Sequence, residues 1–230
     1  MDLWSLIPLL ATIVQSVLIY IVYRKGRNAT NNVFILFSLS LAYWSFSELG
    51  YFLANDFQTA SLWVKFESFW PLSVALMMNF VSRFTENNQP IVRRTIYFLV
   101  YMPAVIFSAI ELLTNWISSE PIIVAGIWTY GPPQMPLVFD ISSFWAVMVS
   151  ILSVYFCAKY YSIKADKTVK NQTLFILVGL SVPIVSGAIT DGLSSMFQLR
   201  IPNLMSLAFL IEGIMMGYAI WKYKLFEKIT

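Results

Sequence analysis

The sequence predicts an all-α integral membrane protein, a bundle of seven transmembrane helices with its N-terminus outside and its C-terminus in the cytoplasm. Three observations predict it: composition, seven long apolar stretches, and the placement of the cations. Hydrophobic residues make up 58% of the 230-residue chain and charged residues 12%, whereas a water-soluble domain carries about 25% charged residues. Crossing a hydrocarbon core of roughly 30 Å takes about 20 apolar residues as helix. Only a helix or a closed barrel satisfies its own backbone hydrogen bonds in lipid.

The first span, Trp4–Tyr23, has no basic residue before it and is followed by Arg24, Lys25 and Arg27. That order makes it an anchor rather than a cleaved signal, and puts the N-terminus outside. The second and third spans, Val33–Ala54 and Ala60–Ser82, are joined by a short turn, with a kink expected at Pro71. The fourth is Thr95–Thr114, the fifth Asp140–Tyr161 and the sixth Gln172–Thr190. In the sixth, Gly179, Pro183 and Gly187 recur at four-residue spacing, and Pro183 is a second expected kink. The seventh, Leu204–Trp221, carries the pair Gly213 and Gly217, a spacing that allows close helix approach within the bundle.

The cations fall in alternate gaps. The inner gaps hold Arg24, Lys25 and Arg27; Arg83, Arg93 and Arg94; Lys159, Lys164, Lys167 and Lys170; and Lys222, Lys224 and Lys228. Arg200 lies in an outer gap and Lys65 within the third span. Lys and Arg gather on the cytoplasmic side, and an even number of spans breaks the alternation. Two sequons, at Asn28 and Asn171, fall on the cytoplasmic side and read as chance matches.

Most connections are short. The outer segment from Asn115 to Phe139, between the fourth and fifth spans, is long and apolar. Its Pro121–Tyr130 stretch is rich in β-branched and aromatic residues and runs into Gly131-Pro132-Pro133, so a short strand or hairpin is expected. Long ordered loops often serve as lids or binding loops, and this one is expected to fold over the outer mouth. The alternative is an interfacial anchor using Trp116 and Trp128.

The chain has no His. A zinc site built on His, a Ser-His-Asp triad and a haem axial His are therefore excluded, as is a phosphoacceptor His. The single Cys157 lies in an apolar segment and reads as packing. No catalytic residue, metal, cofactor or nucleic-acid partner is expected; membrane lipid is.

An ionisable residue inside a span is costly and normally has a partner or a task. The candidates are Glu48 in the second span, Lys65 and Glu67 in the third, Glu111 in the fourth and Glu212 in the seventh, with Asp191 and Arg200 flanking the last outer turn. Counting from the turn near Phe57 places Glu48, Lys65 and Glu67 at one level in the outer half of the membrane. Glu48 and Lys65 could neutralise each other, leaving Glu67 over. Trp44, Phe46, Tyr51, Trp63, Phe66 and Trp70 surround them. A polar spot lined by aromatics suits a ligand cavity; a salt bridge fixing helix order suits the same residues. Glu212 reads as a packing contact, a ligand contact or a proton-sensitive switch.

Seven spans in this orientation resemble microbial rhodopsins, but where that family holds retinal on a Lys this chain has Glu212, and Lys222 sits at the helix end. G-protein-coupled receptors share the orientation, but their hallmark motifs and disulfide are missing. Three segments resemble another group: Leu41-Ala42-Tyr43-Trp44 leading to Glu48; Leu62-Trp63-Val64-Lys65-Phe66 leading through Trp70-Pro71 to Phe80 and Phe84-Thr85; and Leu207-Ala208-Phe209 running to Tyr218-Ala219-Ile220 and Tyr223-Lys224-Leu225-Phe226-Glu227. Together they resemble the seven-transmembrane N-terminal sensor region of prokaryotic membrane histidine kinases, through the order of spans across essentially the whole chain.

The resemblance implies a receptor module, 1–230, in a prokaryotic plasma membrane. It also implies a last helix that continues into a cytoplasmic histidine kinase or other output domain beyond Thr230, and a homodimeric receptor. On that reading the chain is not itself an enzyme. A small or amphipathic ligand is expected at Trp44, Glu48, Trp63, Lys65, Glu67, Trp70 and Glu212, under the Pro121–Pro136 lid. Its occupancy is relayed through Gly213, Gly217, Lys222 and Phe226. The competing class is a small membrane transporter or lipid carrier with Glu48, Lys65 and Glu212 along its path, although no two related halves are visible. Site-directed labelling should place Thr230 on the same membrane face as the Arg24 turn; opposite faces overturn the topology.

Overall fold

A computed structural model describes residues 3–86, 94–118, 120–124, 126–193 and 205–226. The expectations placed on Arg93, Arg200, Glu227, Lys228 and Thr230, and on the side chain of Asp191, lie outside the described residues. The chain is almost wholly helical. Its helices are α1 (Leu3–Arg24), α2 (Ala29–Phe52), α3 (Phe57–Phe66), α4 (Trp70–Phe84), α5 (Met102–Leu113), α6 (Pro136–Ile163), α7 (Lys167–Gly187) and α8 (Met205–Lys222). A π-helical turn, Tyr97–Tyr101, leads into α5, and a second, Ala188–Leu193, ends α7. Among the described residues, 6 helical runs are long and apolar enough to cross a membrane.

The expected third span is helical but interrupted. A 3-10 turn at Glu67–Phe69 separates α3 from α4, and Pro71 is the cause. It has no N–H to give the carbonyl of Glu67, and its ring crowds that carbonyl. The Trp70 N–H takes the Glu67 oxygen instead, which tightens the turn. That leaves the Phe66 carbonyl to the Tyr43 hydroxyl of α2, at 2.6 Å. Pro183, by contrast, lies within α7, which runs on to Gly187.

Polar side chains start the helices. Asn28 accepts from the Asn31 N–H at 2.8 Å, Asp56 from Thr59 and Asp166 from Val169. These bonds satisfy N–H groups that have no partner inside the helix. The Thr59 bonds also hold the Asp56 carboxyl below its ordinary value.

The helices close a ring in which α1 packs on α2, α2 on α4, α4 on α6, α6 on α7, α7 on α8, and α8 back on α1. Inside the ring lies an apolar core containing Leu18, Phe34, Phe80, Ile176, Phe209 and Met216. Helix α5 stands outside it, against α4, on a second cluster that includes Ala75, Met78 and Val100. Outward faces stay apolar: Leu137 and Phe144 of α6 are each 68% exposed. Surfaces of that kind suit contact with lipid.

The expected hairpin is present. Strands β1 (Pro121–Val124) and β2 (Ile127–Tyr130) pair antiparallel, Pro121 opposite Tyr130 and Val124 opposite Ile127. Gly126, at φ 83, supplies the left-handed residue of the turn. The Trp128 indole donates to the Ala54 carbonyl just past α2, at 3.1 Å, and its ring meets Phe57.

The seventh expected span is α8, and its glycines face the bundle. A Cβ on Gly213 lies 2.7 Å from a Val14 methyl of α1, and one on Gly217 lies 3.5 Å from Leu18. Beyond α8 the described residues Tyr223–Phe226 do not continue the last helix, contrary to expectation. The helix stops at Lys222, and Lys224 (φ 54) and Phe226 (φ 72) take left-handed conformations. The physical reason is packing: Leu225 is 2% exposed, and the Phe226 ring lies 4.8 Å from Phe34 and 6.1 Å from Phe80. At the same end Lys164, after α6, pairs with Glu86 at 2.8 Å, and that carboxylate raises the lysine above its ordinary value.

Thermal unfolding of the detergent-solubilised protein should separate the glycines. Gly213→Ala overpacks the α1 seam and should cost about 1–3 kcal/mol. Gly217→Ala finds ordinary contact distance and should be neutral or slightly stabilising.

Candidate functional site

A cleft of about 430 Å³ opens between α2 and the broken third helical run. Leu39, Tyr43 and Trp44 form one wall, and Glu67, Trp70 and Leu76 the other. The break at Pro71 builds this site. By tightening the backbone at Glu67–Phe69 it offsets Trp70 from the helix before it, and Glu67, Phe69 and Trp70 all reach the cleft. Trp44 and Trp70 meet across it with ring centres 6.2 Å apart. The lining is almost wholly apolar, and Glu67, itself 6% exposed, brings a carboxyl group to it.

Of the residues expected to gather here, Trp44, Glu67 and Trp70 do. The other four are placed elsewhere. Trp63 packs edge-on against Phe46 and fills the space above Gly50, where a Cβ would sit 2.1 Å from the indole. Lys65 and Glu48 do not form the expected pair, because each has nearer partners. The Lys65 ammonium donates to the Glu111 carbonyl at 2.9 Å and to the Thr114 carbonyl. Those oxygens end α5, where helix carbonyls lack internal donors and attract a cation. Glu48 faces α8: its carboxylate accepts from the Ser206 hydroxyl and, at 3.2 Å, from the Ser206 N–H.

Glu212 is also held elsewhere. The Gln15 amide of α1 donates to its carboxylate at 2.7 Å and to the Phe209 carbonyl at 3.1 Å. Glu111, the remaining acid, accepts from the Trp70 indole at 2.6 Å and from the Ser118 hydroxyl. Trp70 thus lines the cleft with its ring and ties α4 to Glu111 of α5 with its N–H, and Glu111 in turn holds Ser118 of the loop before β1.

The cleft reaches α8 through two contacts. Trp44 packs edge-on against Phe209 of α8 with ring centres 5.1 Å apart. One turn along α2, Glu48 grips Ser206. Residues four apart share a helix face, so one stripe of α2 carries both a cleft wall and the hold on α8. Sequence reasoning missed Tyr43, Ser206 and Gln15 as members of these sites. An amide inside an apolar span was a readable signal at Gln15; Ser206 resembles many other serines.

A family model described as the N-terminal 7TM region of histidine kinase matches residues 7–229. No curated protein and no solved structure matches the chain. The chain belongs to the family of N-terminal seven-transmembrane regions of histidine kinases.

Glu111 should prove replaceable by an acceptor but not by a hydrocarbon. Glu111→Leu strands the Trp70 N–H and the Ser118 hydroxyl and should lower stability by about 1–3 kcal/mol relative to Glu111→Gln, as read from thermal unfolding of the two variants. Equal stability would contradict the hydrogen-bonded arrangement.

Proposed function

We propose, from membership in that family, that this chain is the sensor region of a histidine kinase and that its ligand occupies the cleft between α2 and α4. In this reading the bundle crosses the membrane seven times, the third crossing being α3 and α4 together. The N-terminus is outside, the charged end faces the cytoplasm, and a kinase or other output domain follows the seventh crossing, α8. The hairpin covers the outer mouth. The ligand is small or amphipathic and enters from outside or from the lipid. Trp44 and Trp70 supply its apolar contacts and Glu67 a polar one.

The observation that carries the proposal is the stripe on α2 that lines the cleft with Trp44 and holds α8 through Glu48. A ligand shifts an equilibrium only by binding one arrangement better than another. Filling the cleft separates Trp44 from Trp70, and α8 follows through Phe209 and Ser206. Gly213 and Gly217 bring α8 close against α1, and the Gln15–Glu212 bond across that seam is the contact that must give as α8 moves. The movement arrives at Lys222, where two copies of the receptor are joined through their output domains. The separate holdings of Glu48, Lys65 and Glu212 speak for a sensor rather than a transporter, whose path they would have to share.

Filling the cleft with protein tests this without knowledge of the ligand. In the full-length kinase, Leu76→Trp should change autophosphorylation several-fold. Leu152→Trp, on the outward face of α6, should leave it unchanged. No effect of either, in receptors that fold and insert, contradicts the proposed site.

A further inference from the structure

The segment after α8 is folded back on the bundle in a way that the relay of a signal does not by itself require. Leu225 is buried, its N–H donates to the Ala219 carbonyl at 3.3 Å, and the Gln172 amide of α7 donates to the Tyr223 carbonyl at 2.7 Å. Phe226 packs against Phe34 of α2 and Phe80 of α4, whose own rings meet edge-on with centres 5.2 Å apart. Against these contacts stand Lys224 and Phe226, both left-handed without being glycine, a conformation that side chains with a Cβ resist. Burial of Leu225 and Phe226 favours the folded-back form; backbone strain and the lost helical turn favour release. The two sides oppose each other, as a two-state element requires.

We infer that Tyr223–Phe226 is a latch: docked, it ends α8 at Lys222 and restrains the output; released, it lets α8 extend through Phe226. Its seat is made by α2 and α4, the helices that also wall the cleft. Phe34 lies near the start of α2 and Phe80 near the end of α4, so both are at the charged end of the bundle, whereas Trp44 and Trp70 stand further along the same helices. A change in the spacing of α2 and α4 at the cleft is therefore a change in the grip on Phe226. The latch goes beyond the ligand reading, because its docked contacts are made by the chain alone. The role in output rests on the chain's being a sensor region.

Thiol accessibility and kinase output test the latch together. With Cys157→Ala removing the native thiol, Leu225→Cys in permeabilised membranes should react with a water-soluble maleimide at least about tenfold slower than Lys222→Cys, as expected of a site exposed only by local opening. Adding Phe34→Ala should speed the reaction at position 225. Adding Lys224→Gly, which removes strain from the docked form, should slow it by about fivefold. In the full-length kinase Phe226→Ala and Lys224→Gly should move autophosphorylation in opposite directions. Reaction at 225 as fast as at 222, or no slowing by Lys224→Gly, overturns the docked latch. Slow reaction with autophosphorylation unmoved, or moved the same way by both variants, overturns its regulatory role and leaves the sensor reading standing.

Discussion

The structure depends on a single constraint: a carboxyl group enclosed by apolar helices must find its donor on another helix. Burying a polar group without a hydrogen bond is costly, and water is not there to help. Three acids meet this demand in three places. Glu48 of α2 takes Ser206 of α8, Glu111 of α5 takes Trp70 of α4, and Glu212 of α8 takes Gln15 of α1. Each bond joins two different helices, and those at Glu48 and Glu212 join helices far apart in sequence, so the acids set helix order where non-directional apolar packing cannot. α8 carries a partner in two of the three, which makes it the element most firmly referenced to the rest of the bundle.

The same constraint explains why the cleft lies where it does. Pro71 breaks the hydrogen-bond ladder of the third helical run, and the freed Phe66 carbonyl is satisfied from α2 by Tyr43. That bond pins α2 to the break, and the offset side chains of Phe69 and Trp70 leave a groove above it. A backbone irregularity thus opens a cleft. Its neighbour, the Trp70–Glu111–Ser118 chain of hydrogen bonds, connects it to the segment that carries the hairpin.

The helical architecture was legible in the sequence because it rests on length and apolarity, which are local properties. The expected spans and the helical runs agree to within a few residues, and Pro71 marked the place of the break. The hairpin was legible from β-branched residues bounded by Pro and Gly. Side-chain partnerships were not. Placing Glu48, Lys65 and Glu67 at one depth was reasonable, but depth leaves direction around the helix axis open. Lys65 turned to the carbonyls ending α5 and Glu48 to α8, neither of which sequence proximity suggests. Trp63 looked like a cavity residue by type and serves as filler over Gly50. The fold-back of Leu225 and Phe226 went against helical continuation because the aromatic seat of Phe34 and Phe80 exists only once α2 and α4 are assembled.

In the proposed mechanism a small molecule acts on this bundle in the space between α2 and α4. An experimental structure of the protein extracted gently from its native membrane tests it most directly. The expected result is density for a non-protein molecule against Trp44, Glu67 and Trp70, with α8 displaced relative to a sample stripped of that molecule. A cleft closed by its own side chains, with a bound molecule seated instead along the α1–α8 seam at Gln15 and Glu212, would contradict it.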